Sequence, residues 1–304
     1  MRTLTYTTAP QDEGRAVRSV VPRRFQLGAH LFRRLKVQQG ILVNGEVARA
    51  DRLLHAGDVV TLLLPDEAPG GAQPPAEKAQ PEATAAAIRY IDADMLIVSK
   101  PAPLPTLPSA HIGTQTLREQ LAALLGVEES AFAYRPVNRL DKGTSGLLAV
   151  ARHAHAQRLL SAQLHTADFV REYLAVTQGV PSQPEGTVDA PILRPGAGVV
   201  RVVDARGQRA VTHYRVERTS GGHALVRLRL ETGRTHQIRV HMAHIGCPIV
   251  GDYLYGAPSP ALPGRFALHS ARLCCRQPIT GERIEIAEPL PPELAALIQP
   301  QGQK

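Results

Sequence analysis

At 304 residues, 43% of them apolar, the chain is long enough for one large domain with a packed core and a small companion. No apolar run reaches the length of a membrane span, no signal-peptide stretch follows Met1, and Cys247, Cys274 and Cys275 make no disulfide framework, so a soluble protein of the reducing cytoplasm is expected. A net charge of +8 favours a polyanionic partner, nucleic acid first, although arginine enrichment from GC-rich coding accounts for the same charge; with 4% aromatics and no Trp, a broad base-stacking platform is not expected.

In chain order, residues 24–38 alternate apolar and basic side chains at helical spacing. Leu27, Leu31, Phe32 and Leu35 can share one face, which leaves Arg23, Arg24, Arg33, Arg34 and Lys36 to solvent or phosphate, and Gly40 is placed to end the helix. Ile41–Val47 and Asp58–Leu64 read as short strands, the first turning at Asn44-Gly45, a strong hairpin signal. Through Asp66 there are ten Lys/Arg and six Asp/Glu, a balance of +4. A basic helix followed by Val-Asn-Gly resembles the S-four-like RNA-binding domain, named after a ribosomal protein. The resemblance implies RNA contacts from Arg33, Arg34, Lys36 and Asn44; a basic αβ cap is the plainer alternative.

Residues 66–86 lack large apolar side chains and read as a flexible linker between a unit spanning 1–65 and a second spanning 87–304. In the second unit, Ile88–Ile91 and Met95–Ser99 flank a turn and predict an antiparallel pair. Thr116-Leu-Arg-Glu119 is a capping box that opens a helix stopped by Gly126. A helix is predicted over 153–165. Strands follow near 168–177, 209–217 and 223–231, then a helix near 235–245 and strands near 266–275 and 282–286. The fold class is α+β, a mixed, largely antiparallel sheet with flanking helices.

The chemistry concentrates in Arg135-Pro-Val-Asn-Arg-Leu-Asp-Lys-Gly-Thr-Ser-Gly-Leu-Leu-Ala-Val-Ala-Arg152. Asp141 sits between Arg139 and Lys142 just ahead of an apolar strand, an arrangement suited to a carboxylate kept ionised by its neighbours. A turn-capping aspartate is the bland alternative. Three other segments stand out: Arg171–Val176; Glu231-Thr-Gly-Arg-Thr-His-Gln-Ile-Arg-Val-His-Met242 running on to Pro248–Tyr255; and Phe266–Leu273.

In order and spacing, these motifs resemble the RluA-type family of pseudouridine synthases, over the whole chain beyond the linker. The resemblance implies isomerisation of uridine in RNA: the N-glycosidic bond breaks, the base turns, and C5 rejoins the sugar. That reaction needs no cofactor and no metal. By the same resemblance Asp141 is the catalytic carboxylate, as nucleophile or as base, and Arg239 orients it and keeps it charged. Tyr173 lies against the uracil and helps the proton leave C5. Leu268 packs the other face of the base, and Arg139 fills the stack when the target uridine flips out. Arg234 and His236 contact RNA or support the start of the helix.

Two positions depart from the family pattern, Asn138 in place of histidine and Gly143 in place of an acidic residue. His241 and His244 have no third metal ligand in sight. An aspartate-nucleophile phosphotransferase would want a second aspartate at position 143, where glycine stands. A non-catalytic RNA-binding or ribosome-assembly protein on the same fold is the remaining rival. The expected substrate is 23S-type ribosomal RNA, with transfer RNA second, acted on by a monomer.

Overall fold

A computed structural model describes residues 2–64, 85–108 and 115–299. Most of the 66–86 segment read as a linker lies outside the described residues.

The first unit comprises β1 (Arg2–Thr7), α1 (Val17–Arg24), α2 (Ala29–Val37), β2 (Ile41–Val43), β3 (Glu46–Val47) and β4 (Val59–Leu64). Its four strands form one antiparallel sheet in the order β1-β4-β2-β3. Leu27, Leu35, Val20, Val21, Ile41, Val60 and Leu62 close a separate apolar core, with Leu31 and Phe32 packed at its edge. The predicted apolar residues therefore do pack together, but the helix expected over 24–38 is shorter, with α2 covering Ala29–Val37 and Arg24 ending the unforeseen α1. The chain breaks after Arg24, Gln26 takes a left-handed φ of 47°, and α2 restarts at Ala29. The turn between β2 and β3 is where the sequence places it, with positive φ at Asn44 (55°) and Gly45 (84°). β1 and α1 carry no strong periodicity of their own. β1 is held by its register with β4, from Arg2 opposite Leu64 to Thr7 opposite Val59.

The rest of the chain builds β5 (Ala87–Ile91), β6 (Met95–Lys100), α3 (Leu117–Leu124), β7 (Arg135–Pro136), β8 (Ser145–Ala151), α4 (Ala154–Gln163), β9 (Val170–Gln178), β10 (Glu185–Asp189), β11 (Ile192–Leu193), β12 (Val202–Val203), β13 (Val211–Ser220), β14 (His223–Leu230), α5 (Gln237–His244), β15 (Leu268–Arg276), β16 (Arg283–Ala287) and α6 (Pro292–Ala295). Ten of these strands form one sheet, with main order β10-β13-β14-β9-β15-β8-β6-β5, β16 on β15 and β7 on β8. Only β8 and β15 pair in parallel. The α+β, largely antiparallel architecture is the one expected.

The sheet is covered on both faces, and the period of two in its strands decides which side chain goes where. Leu96, Val98, Leu148 and Val150 join the core under α3 and α5, with Leu117, Leu121, Ile238 and Met242. Their chain neighbours Met95, Ile97, Leu147, Ala149 and Ala151 turn to the core under α4, with Ala156 and Leu160. Every residue of β8 is buried for this reason. The Thr116–Glu119 capping box opens α3, with the Thr116 N–H donating to Glu119 Oε2 at 2.6 Å. The two units touch where Ile279 packs on the first core and Arg2 pairs with buried Asp94 at 2.8 Å. Among the described residues no helix is long and apolar enough to cross a membrane.

Candidate active site

Parallel pairing of β8 with β15 brings the starts of both strands together, His269 opposite Ser145 and Ser270 opposite Gly146. The loop that precedes β8 carries Asp141, and β15 begins at Leu268, so these two residues become neighbours at one end of the sheet. Across β15 lies β9, with Tyr173 opposite Ser270 and Ala175 opposite Leu268. The chain leaving β14 turns through residues 231–236 into α5. Gly146 makes the close approach possible. It takes a φ of 102°, and a Cβ there would stand 2.3 Å from the Ser270 carbonyl oxygen.

Arg239 is the centre of the site. Its guanidinium donates through Nε and Nη2 to both oxygens of Asp252, at 2.7 and 2.8 Å, and through Nη1 to Asp141 Oδ2 at 3.1 Å. The ring of Phe266 lies 4.2 Å from the guanidinium carbon and that of Tyr255 5.0 Å away. Arg239 and Asp252 are almost completely buried, while the Asp141 side chain keeps 27% of its surface open. This is a bidentate buried pair that leaves further N–H groups over, and one of them, on Nη1, is aimed at an accessible carboxylate. Burial disfavours the charge on Arg239, but its bonds to Asp252 and the field of Asp141 outweigh that and hold its pKa above the ordinary value. A fork fixed on Asp252 can hold Asp141 in one orientation through a single oxygen.

His236 caps α5 in a left-handed conformation, φ 59° and ψ 17°. Its Nδ1 meets the Tyr255 hydroxyl at 2.8 Å, and its Nε2 lies 4.0 Å from Asp141 Oδ2. Burial pulls the His236 pKa down, opposed by Asp141 and reinforced by Arg239. A neutral ring that accepts from Tyr255 turns its Nε2 proton toward Asp141. Tyr173 is buried, and burial raises its phenol pKa; the charge of Arg171 acts in the opposite direction and that of Asp141 in the same one.

These groups surround a cavity of 580 Å³, lined by Asp141, Tyr173, Leu268, Arg239, His236, Arg139, Arg234 and Arg171. Its volume is that of a small-molecule or single-nucleotide site. Each side chain that the sequence assigns to the chemistry or the base therefore meets the others in one place. Arg139 and Arg234 are exposed at the rim, and Arg234 Nε donates to the Arg209 carbonyl at 3.0 Å. In the first unit Arg33 and Lys36 are exposed and Arg34 is half-buried. The amide of Asn44 is engaged within the protein, donating to Asp58 Oδ1 and accepting from the Val59 N–H, both at 2.8 Å.

Asp252, Phe266, Tyr255 and Arg171 also belong to the site, although the motifs alone assign them no role. Asp252 stands in the Pro248–Tyr255 segment, where an acid directly after Ile-Val-Gly is the one sequence signal of a buried partner. The departure at 143 has a local reason: a Cβ there would lie 2.7 Å from the ring of Phe266, which occupies the space beneath Arg239. Asn138 accepts from the Ala149 N–H at 3.1 Å, so it ties its loop to β8. His241 bridges Thr212 and the Ala190 carbonyl, both at 2.9 Å, and does not face the cavity.

The chain is similar to known proteins over most of its length. Residues 94–244 match the family described as RNA pseudouridylate synthase. A Bacillus subtilis (strain 168) protein named "Uncharacterized RNA pseudouridine synthase YjbO" is 36% identical over 258 residues, covering 84% of this chain and 89% of that one. A Xanthomonas campestris protein named ribosomal large subunit pseudouridine synthase D is 38% identical over 274 residues, covering 84% and 80%. Among solved structures, human RNA pseudouridylate synthase domain containing 1 superposes with a TM-score of 0.58 at 25% identity, over 74% of this chain and 92% of that one.

Proposed function

Because this chain belongs to the RNA pseudouridylate synthase family and is an RNA pseudouridine synthase, we propose that it isomerises uridine in large-subunit ribosomal RNA, with Asp141 as the catalytic carboxylate. The observation that carries the site assignment is the Asp252–Arg239–Asp141 array at the floor of a nucleotide-sized cavity. The names borne by relatives such as the Xanthomonas campestris protein support ribosomal over transfer RNA.

The target uridine flips out of its stack, and Arg139 at the rim takes its place. The base lies between Tyr173 and Leu268. Asp141 acts on the nucleotide as the N-glycosidic bond breaks, and Arg239 keeps it charged and aimed. After the base turns and C5 bonds to C1′, Tyr173 assists loss of the C5 proton. The unit spanning 1–65 is an S-four-like RNA-binding domain joined through residues 66–86 to the catalytic domain of 87–304. Its Arg33, Arg34 and Lys36 contact the phosphate backbone, while Asn44 shapes the hairpin turn that accompanies them. The three cysteines are free and buried, in keeping with a cytoplasmic enzyme acting as a monomer.

The test is a pseudouridine map of ribosomal and transfer RNA from cells lacking the protein, complemented with wild type or Asp141→Asn. The proposal expects one ribosomal site to disappear and to return only with wild type. A site restored equally by Asp141→Asn would refute the carboxylate assignment, and a lost site in transfer RNA alone would refute the substrate assignment.

A further inference from the structure

Arg171 lines the cavity, and the reaction scheme above gives it no role. It sits on β9 two residues before Tyr173, so both project from the same face of the strand. It is 6% exposed. Its Nε and Nη2 are fully enclosed and have no hydrogen-bond partner among the described residues. The intervening Glu172 faces the other way and spends its oxygens on Arg272 and Arg227, at 2.7 and 3.3 Å. Phe169 stands 5.9 Å from the guanidinium carbon. Gly233 makes room on the cavity side, where a Cβ would lie 3.0 Å from Nη1.

A buried guanidinium without a carboxylate is an expensive feature that a fold rarely keeps for stability. The balance of buried charge suggests its use. Arg239 is shared between two carboxylates, Asp252 and Asp141. Without Arg171 that group carries a net charge of −1, against any anion that forms on Tyr173 or on the base. Arg171 offsets that charge from the side of Tyr173. The groups that act on the Tyr173 phenol are Arg171 from its own strand, Asp141 from the loop before β8, and the uncharged Ser270 from β15.

We propose that Arg171 is a positioning residue whose buried charge supports Tyr173 as the base that removes the C5 proton. The proposal rests on the reading of Tyr173 given above. In that step the C5–H bond breaks and its proton passes to the phenolate oxygen. The C5–H electron pair becomes the C5=C6 double bond, and the former C6=N1 pair moves to N1, which takes a proton. Tyr173 later returns its proton to water. A neutral phenol cannot accept that proton, so a neighbouring cation raises the share of enzyme in the competent state. The accompanying loss of basicity offsets only part of the gain.

The experiment compares single-turnover rates on RNA carrying uridine or 5-fluorouridine at the target, read as loss of the N-glycosidic linkage and, for uridine, as formation of pseudouridine. Fluorine at C5 leaves no proton to remove, so the fluorinated substrate reports the earlier steps alone. Arg171→Gln is expected to slow pseudouridine formation at least 10-fold, to leave consumption of the 5-fluorouridine substrate unchanged, and to leave thermal stability equal or higher. Arg171→Lys, which keeps the charge, is expected to recover most of the uridine rate. Equal losses on both substrates, no loss on either, or a lysine variant as slow as the glutamine one would overturn the proposal. Tyr173→Phe run in parallel separates the two readings: if it converts uridine at the wild-type rate, the assignment of the base itself fails, whatever Arg171 does.

Discussion

Replacing Asp252 with asparagine tests the array that positions Asp141. Asparagine keeps the shape of the side chain but offers one acceptor oxygen in place of two. One of the bonds at 2.7 and 2.8 Å becomes an N–H facing an NH₂ group. Asp252 is fully buried and Arg239 nearly so, and removing one partner of such a pair costs about 3–5 kcal/mol. Arg239 retains its bond to Asp141, so the lower end, about 3 kcal/mol, applies. For a domain of this size that lowers Tm by about 6–12 °C. The loss of the fork also frees the guanidinium to rotate onto Asp141. A shift of about 1 Å in a positioning group lowers turnover about 100-fold. Asp252 stands behind Arg239 with no exposed surface, so RNA affinity should not change. Thermal melts, RNA titrations and single-turnover rates at saturating RNA measure the three quantities separately. Wild-type turnover together with wild-type Tm would show that the fork on Asp252 does not hold Arg239 in place.

Introducing an acidic side chain at the glycine before Thr144, Gly143→Asp, forces a Cβ to within 2.7 Å of Phe266. Overpacking of this kind costs about 1–3 kcal/mol. The double variant with Phe266→Leu should recover part of the stability in urea melts, and strict additivity of the two changes would refute the steric account. Burial, helped by Arg265, holds the pKa of His269 down at about 4, against 6.5 when unfolded. A depressed folded value means that the contribution is complete above pH 6.5 and is lost as pH falls toward 4, a change of about 3 kcal/mol. Unfolding free energies measured from pH 7 to 4 should fall less steeply in His269→Gln, and equal slopes would contradict the assignment. Charge reversal at Arg33 and Arg34 should weaken RNA binding and flatten its dependence on salt, by about 0.7–0.9 in log–log slope for each phosphate no longer neutralised, with the rate at saturating RNA unchanged. An unaltered salt slope in binding titrations would remove α2 from the RNA interface.

Local pattern determined much of this protein. The long buried strands and the helices between Ile88 and Ile286 follow from period and punctuation, because such elements must show their faces in the sequence, whereas the short strands β7, β10, β11 and β12 were not foreseen. Asp141, Tyr173, Arg239 and Leu268 were singled out through resemblance to a family, on the segments 135–152, 171–176, 231–242 and 266–273, and the fold brings all four to one cavity. The break between α1 and α2 was not legible, because a left-handed Gln26 leaves no compositional trace. Nor was β1, whose alternation is weak and whose place depends on pairing with a strand more than fifty residues away. The partners of Asp252, Phe266 and Arg171 were set by tertiary structure. An aspartate 13 residues beyond Arg239 becomes its fork partner only after the chain turns back, and a guanidinium on a strand is left without a carboxylate among the described residues only when every acid near it in sequence faces elsewhere. Sequence periodicity determines which way a side chain points along its own element, whereas its electrostatic partners are set by distant segments that only the folded sheet brings within a few ångströms.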